Sequence, residues 1–228
     1  MRKIYLLLIV AFVTISSFSQ NLQLHYGYTE DNNYTLARFE FLQAREKSLT
    51  YLYTDFDIGR LDGVHQAYFE LSHKFMLPRI DERLNIHVEY DDGLMINRDR
   101  ELVTVGIPIH RSYLTGLGFR GKIGEFIVSP SLMFKYYDSY NQLDYQFTLR
   151  WRGDFFNEKL TLSGFLDLWT YSPNNNETKY LVFRTQMQFW YNIIDELSVG
   201  TQFEVNHHYF VYDEKFRLLG TIALKWNM

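Results

Sequence analysis

Along most of this chain, apolar side chains recur at every second position, and that period constrains the fold more than any other feature. Between Leu143 and Trp151, the residues Leu143, Tyr145, Phe147, Leu149 and Trp151 alternate with Asp144, Gln146, Thr148 and Arg150, and Arg152 continues the polar series. Successive side chains of a strand point to opposite faces, so this segment is a ribbon with one greasy and one polar face. Phe216 to Met228 repeats the design to the last residue, Leu197 to Tyr209 does so before it, and Leu84, Ile86, Val88 and Tyr90 oppose Asn85, His87, Glu89 and Asp91. Helical periodicity is almost absent.

Extended over the chain, the alternation predicts about twelve strands, near 21–29, 34–43, 48–58, 64–76, 83–92, 112–123, 125–138, 142–155, 159–171, 179–193, 197–210 and 215–228. An even number of antiparallel strands with tight and longer connections in alternation is the pattern of a bacterial transmembrane barrel with both termini in the periplasm. The tight set is expected at 45–47, 122–125, 157–158 and 194–196. The extracellular set includes a long loop over 91–111 and the asparagine-rich 172–178. Pro78 lengthens one periplasmic turn in this reading, and Pro130, which removes a ladder donor, marks a bulge.

The N-terminus reads as a secretory signal. Arg2 and Lys3 precede the uncharged run Ile4 to Ile15, and small residues, Ser17 and Ser19, stand before Gln20. A run this short suits export and cleavage better than anchoring, which takes about 20 apolar residues. The expected organisation is a signal peptide over 1–19 and one domain, an outer-membrane β-barrel, over 20–228. No later stretch approaches a transmembrane helix, and the mean hydropathy is −0.25, so any crossing of a bilayer falls to strands.

The polar face separates a membrane barrel from a soluble one. In a soluble fold it meets water and favours flexible Lys, Glu and Ser, whereas in a membrane barrel it lines a lumen where opposite charges pair. Here it carries Arg38, Glu40, Asp55, Asp57, Glu70, Lys74, Glu89, Arg120, Lys135, Asp144, Arg150, Arg152, Asp167, Arg184, Glu204 and Arg217, a mixed-sign set rich in Arg. The greasy face has no such charges in the middle of most strands, with His73 its mild exception. Aromatics make up 18% of the chain, and Tyr26, Tyr28, Tyr90, Tyr136, Trp151, Tyr191, Tyr209 and Trp226, near strand ends, fit the two interfacial girdles.

The formal charge of −4 becomes −6 without Arg2 and Lys3, which argues against a nucleic-acid polymer as partner. There is no cysteine, hence no disulfide or thiolate metal site. His207 and His208 are neighbours on a predicted strand, so their rings should point to opposite faces and not share a metal. A Ca²⁺ site in Asp91 and Asp92 with Asp99 is the sharper reading of that loop, and a solvated loop the plainer one, so no metal and no cofactor is assigned. No G-x-S-x-G occurs, and Ser129 or Ser131 with a distant His makes no convincing hydrolase, so the chain reads as a non-enzyme.

Several strings taken together resemble an uncharacterised exported family, a domain of unknown function: Asn21 to Tyr26, Tyr53 to Asp57, Ala67 to Leu71, Ile86 to Tyr90, Thr161 to Trp169, Gln188 to Tyr191, Ser198 to Val205 and Thr221 to Trp226. That family is in turn similar to the Tsx-like nucleoside-specific channels of the outer membrane, which are monomeric twelve-stranded barrels. The resemblance implies a monomer held in outer-membrane lipid, inserted by the barrel-assembly machinery, that passes a small solute through its lumen, with nucleosides the candidate. Aromatic rings would stack on the base while carboxylates and guanidinium groups bond the ribose.

The lumen candidates for solute binding are Tyr53, Asp55, Asp57, Tyr68, Glu70, Phe165, Asp167, Trp169, Arg184, Trp190 and Glu204, with Tyr51 a further aromatic on the polar phase. Tyr53, Asp55 and Asp57 are expected to form part of a selective constriction. Against this stands a structural or adhesive barrel whose lumen these same groups plug.

Overall fold

The computed structural model describes residues 19–28, 33–59, 63–98, 104–138, 142–171, 179–209 and 215–228. The signal expected over 1–19 falls outside them except for Ser19, and so does the 172–178 loop. Thirteen strand segments follow in chain order: β1 (Ser19–Tyr28), β2 (Asn33–Arg45), β3 (Ser48–Gly59), β4 (Gly63–Leu77), β5 (Asp81–Arg98), β6 (Thr104–Phe119), β7 (Gly121–Ile123), β8 (Phe126–Tyr137), β9 (Gln142–Phe155), β10 (Leu160–Tyr171), β11 (Tyr180–Ile194), β12 (Leu197–His207) and β13 (Arg217–Asn227). Apart from β6 and β7, which do not pair with each other and both pair with β8, each pairs antiparallel with its sequence neighbours, and β1 pairs with β13. The ring is closed.

β6 and β7 are two halves of one strand, which makes the barrel twelve-stranded. Gly118 pairs with Ser131 and Gly121 with Val128 in one unbroken register. The interruption at Arg120 lies opposite Ser129 and Pro130. The bulge expected at Pro130 is therefore absent: Pro130 keeps its register with Leu149 on β9, and its missing N–H instead opens the ladder on the β6–β7 side.

Two other expectations need correction. The turn carrying Pro78 occupies only 78–80, closed by the Ile80 N–H donating to the Leu77 carbonyl at 2.9 Å, so it is not long. The loop expected over 91–111 is mostly strand: β5 and β6 pair from Gly93 with Ile109 out to Arg98 with Thr104. At about 3.3 Å per residue, the 18 residues of β5 reach roughly 60 Å, about twice the hydrocarbon thickness of a bilayer. The hairpin thus continues past the rim, and its backbone groups satisfy one another there, which a polar sequence permits as readily as a loop.

Faces follow the alternation. Leu22, Leu24, Leu132, Phe134, Ile222 and Leu224 point outward and are exposed, whereas Gln23, His25, Ser131, Lys135, Thr221 and Lys225 point inward and are buried. An outward surface of this greasiness cannot be solvated by water and is a lipid-facing band. His73 sits on that band, opposite Thr50, and the two side chains bond each other at 2.8 Å, which removes the cost of a polar group facing lipid.

Candidate functional site

The lumen is filled on one side and open on the other. On the filled side, the Arg38 guanidinium donates twice to Asp55 at 2.7 Å, to Gln202 Oε1 at 3.0 Å and to Gln186 Oε1 at 3.2 Å. Gln188 donates to Gln202 at 3.0 Å and to Gln23 at 3.3 Å, and Trp190 Nε1 donates to Gln188 at 3.1 Å. The His25 ring is held between Gln23 and Thr221, at 2.9 Å from each, and meets Trp190 edge-on. This network ties β1, β2, β3, β11, β12 and β13 together through buried polar groups, each satisfied by another, which makes a rigid interior wall.

The open side is a cavity of about 1070 Å³, a conduit lined by residues from one end of the barrel to the other. Ser19, Leu42, Leu49 and Ile127 line it at the end of the tight turns, and Met95, Ile109, Tyr180 and His208 at the opposite end. Aromatic rings pave its middle. Tyr51 and Tyr53 stack at 6.2 Å, Tyr68 meets Tyr53 edge-on at 5.6 Å, and Trp169 meets Tyr209 edge-on at 6.1 Å.

Each ring group carries a cation. Arg38 lies over Tyr53, Arg150 over Tyr51, Arg184 over Phe165 and Tyr209, and Lys135 over Tyr137 and Trp169, all at 4.9 to 5.3 Å. Each cation also has a carboxylate: Asp55 for Arg38, Glu204 for Arg184 at 3.0 Å, Glu70 and Glu89 for Arg150, and Asp91 for Lys135 at 3.7 Å.

Of the sequence candidates, Tyr53, Tyr68, Glu70, Phe165, Asp167, Trp169 and Arg184 line the conduit, as does Tyr51. Asp55, Trp190 and Glu204 are buried in the interior wall or against it, behind the conduit surface. Asp57 is not a lining residue either, so the structure does not bring the three residues of the expected Tyr53–Asp55–Asp57 constriction to one surface. Lumenal phase was legible in the sequence. Which lumenal groups would be covered by others was not, because that depends on partners four strands away.

Two further readings change. Tyr209, expected at an interfacial girdle, lines the conduit, and the cause is His208. Its φ of 56° takes the chain out of the β12 phase just past His207. For the same reason the His207 and His208 rings lie 3.9 Å apart rather than on opposite faces. Asp91 points into the lumen, and Asp92 points outward and accepts from Tyr90 Oη and Arg111, so these two carboxylates do not converge; Asp99 lies outside the described residues. Among the described residues the one group that could hold a metal is Glu70, Glu89 and Asp91, with ligand atoms within 4.8 Å of one another. The guanidinium of Arg150 already lies against Glu70 and Glu89.

The model of a family described as a domain of unknown function, DUF5020, matches residues 19–228. The chain belongs to that family. Among the curated proteins none matches its sequence. The DUF5020 barrel is similar in fold to the NanC porin, with a TM-score of 0.58 at 8% identity over 91% of this chain and 100% of that one. Its similarity to the KdgM porin has a TM-score of 0.54 at 7% identity over 92% and 99% of the two chains. An outer-membrane channel from Pseudomonas putida F1 matches with a TM-score of 0.56 at 10% identity over 93% and 95%. The DUF5020 chain thus has the fold of outer-membrane porins, and with its lipid-facing band and closed ladder it is a barrel of the Gram-negative outer membrane.

Proposed function

We propose that the protein is a passive channel for small solutes, with nucleosides as the candidate cargo. The observation that carries this reading is the conduit itself: one cavity is lined by residues from the turn end of the barrel to the loop end. A plugged structural barrel would have its polar interior closed on every side, whereas here the network around Arg38 closes only one.

The nucleoside part rests on chemistry. Tyr51, Tyr53, Tyr68, Phe165 and Trp169 offer faces for a planar base, and Glu70, Asp167 and Arg184 stand beside them for hydroxyls. Stacking and hydrogen bonding through partly engaged groups bind weakly, which permits release. The resemblance to Tsx-like channels points the same way. The rival reading, a structural or adhesive barrel, draws on the cross-lumen bonds of Arg38 and Arg150, which narrow the interior.

Single-channel recording of the purified barrel in a planar bilayer decides between them. The expected result is discrete conductance steps, reduced by added nucleosides in a concentration-dependent manner. Absence of steps would leave the structural barrel standing, and steps indifferent to nucleosides would remove the cargo while keeping the channel.

A further inference from the structure

Of the four cations that lie over rings lining the conduit, three have their carboxylates on nearby strands. Arg38 and Asp55 are direct register partners on β2 and β3, Arg184 and Glu204 sit on the paired strands β11 and β12, and Lys135 on β8 meets Asp91 on β5 across β6 alone. Arg150 on β9 is different. Its register partners are Ser129 on β8 and Phe165 on β10, neither of them an acid, and the diagonal acid on β10, Asp167, accepts from Thr148 Oγ1 at 2.7 Å instead. Arg150 crosses the interior, to Glu70 on β4 and Glu89 on β5, and on the way its guanidinium lies 4.9 Å from the Tyr51 ring centre.

The crossing is also the most exposed of these four pairs. The Arg150 side chain is 24% accessible, against 9% for Glu70 and 2% for Glu89. Permeating ions therefore meet the positive member of the bridge, while its carboxylates sit behind. The other charges facing this point are Asp167, bonded by Thr148, Lys74, whose Nζ donates to Ser129 Oγ at 2.6 Å, and Asp91, held by Ser112 and Lys135. Without Arg150, Glu70, Glu89 and Asp91 would present three clustered carboxylates with a lysine on either side.

From this we infer that Arg150 determines both the width and the charge selectivity of the conduit: its side chain is the strut that narrows the passage and the cover that hides an acidic cluster. The inference rests on the channel reading above and adds to it the residue that controls permeation. Within a narrow low-dielectric passage, exchanging one exposed charge reverses the sign of the local field on passing ions.

The test is single-channel conductance and reversal potential in a KCl gradient for the wild type, for Arg150→Ala, and for the double variant Glu70→Gln with Glu89→Gln. Arg150→Ala is expected to raise conductance about twofold and to move the reversal potential toward cation selectivity. The double variant, which leaves the guanidinium without its acids, is expected to move it toward anion selectivity. Opposite shifts support the inference. A conducting wild type with both variants unchanged, or with both shifted the same way, overturns the role of Arg150 and leaves the channel standing. A silent wild type overturns the channel and this role together. Should Arg150→Ala not insert, the sign of the shift in the double variant decides alone.

Discussion

Arg38 and Asp55 face each other in register across β2 and β3 and share two hydrogen bonds of 2.7 Å, with the guanidinium fully buried. Removing one member of such a pair leaves the other charge stranded, at a cost of about 3–5 kcal/mol. Asp55→Ala is expected to lower the unfolding midpoint in urea, followed by tryptophan fluorescence, by an amount of that order. Asp81→Ala, which breaks the exposed pair with Arg83, is expected to be near neutral in the same assay.

The lipid-facing band makes an independent prediction. Leu132 lies midway along β8, points outward and is 62% accessible. An arginine at the bilayer midplane costs about 2–4 kcal/mol. Leu132→Arg is therefore expected to destabilise the barrel by that amount in refolding from urea into lipid vesicles, and a neutral outcome would mean that this face does not meet hydrocarbon.

Backbone strain is concentrated in the tight turn between β9 and β10. Phe156, Asn157 and Glu158 have φ of 55°, 54° and 64°, three successive left-handed residues where side chains are disfavoured by about 1–2 kcal/mol each. The turn is held because Asn192 on β11 reaches it twice: its N–H donates to the Lys159 carbonyl at 2.9 Å and its side-chain amide to the Glu158 carbonyl. Glu158→Gly is expected to stabilise the protein by roughly 0.5–1 kcal/mol, read as a higher urea midpoint.

Tyr68 combines a place on the conduit with an edge-on contact to Tyr53. Base–aromatic stacking is worth about 1–3 kcal/mol by alanine substitution. Tyr68→Ala is accordingly expected to shorten nucleoside block events about fivefold or more while raising open-channel conductance. Longer block events would place the stacking surface elsewhere.

The candidate site was only partly legible in the sequence, for a reason visible in its charges. Alternation assigns Arg150 and Glu70 to the polar phase, yet they lie 80 positions apart, and nothing local states that the ring will bring them together. Glu204 and Trp190 share that phase but end up behind other side chains. Tyr209 faces the conduit rather than the side that alternation predicts because a single left-handed residue, His208, breaks the period without any glycine to announce it.

By itself, the sequence determined that the chain is built of strands, how many there are, and which face of each is greasy, since a strand's two faces depend only on the parity of position and the solvent each face can tolerate. It also determined closure in outline, because an open ribbon with one such face has unpaired edges that a bilayer does not accept. The tertiary structure alone decided which inward charges meet, which of them reach the conduit, and that the polar stretch around 91–111 pairs with itself as a long hairpin. Those outcomes depend on the stagger of twelve strands around a closed ring and on side chains reaching over it, and neither distance is encoded in any one segment.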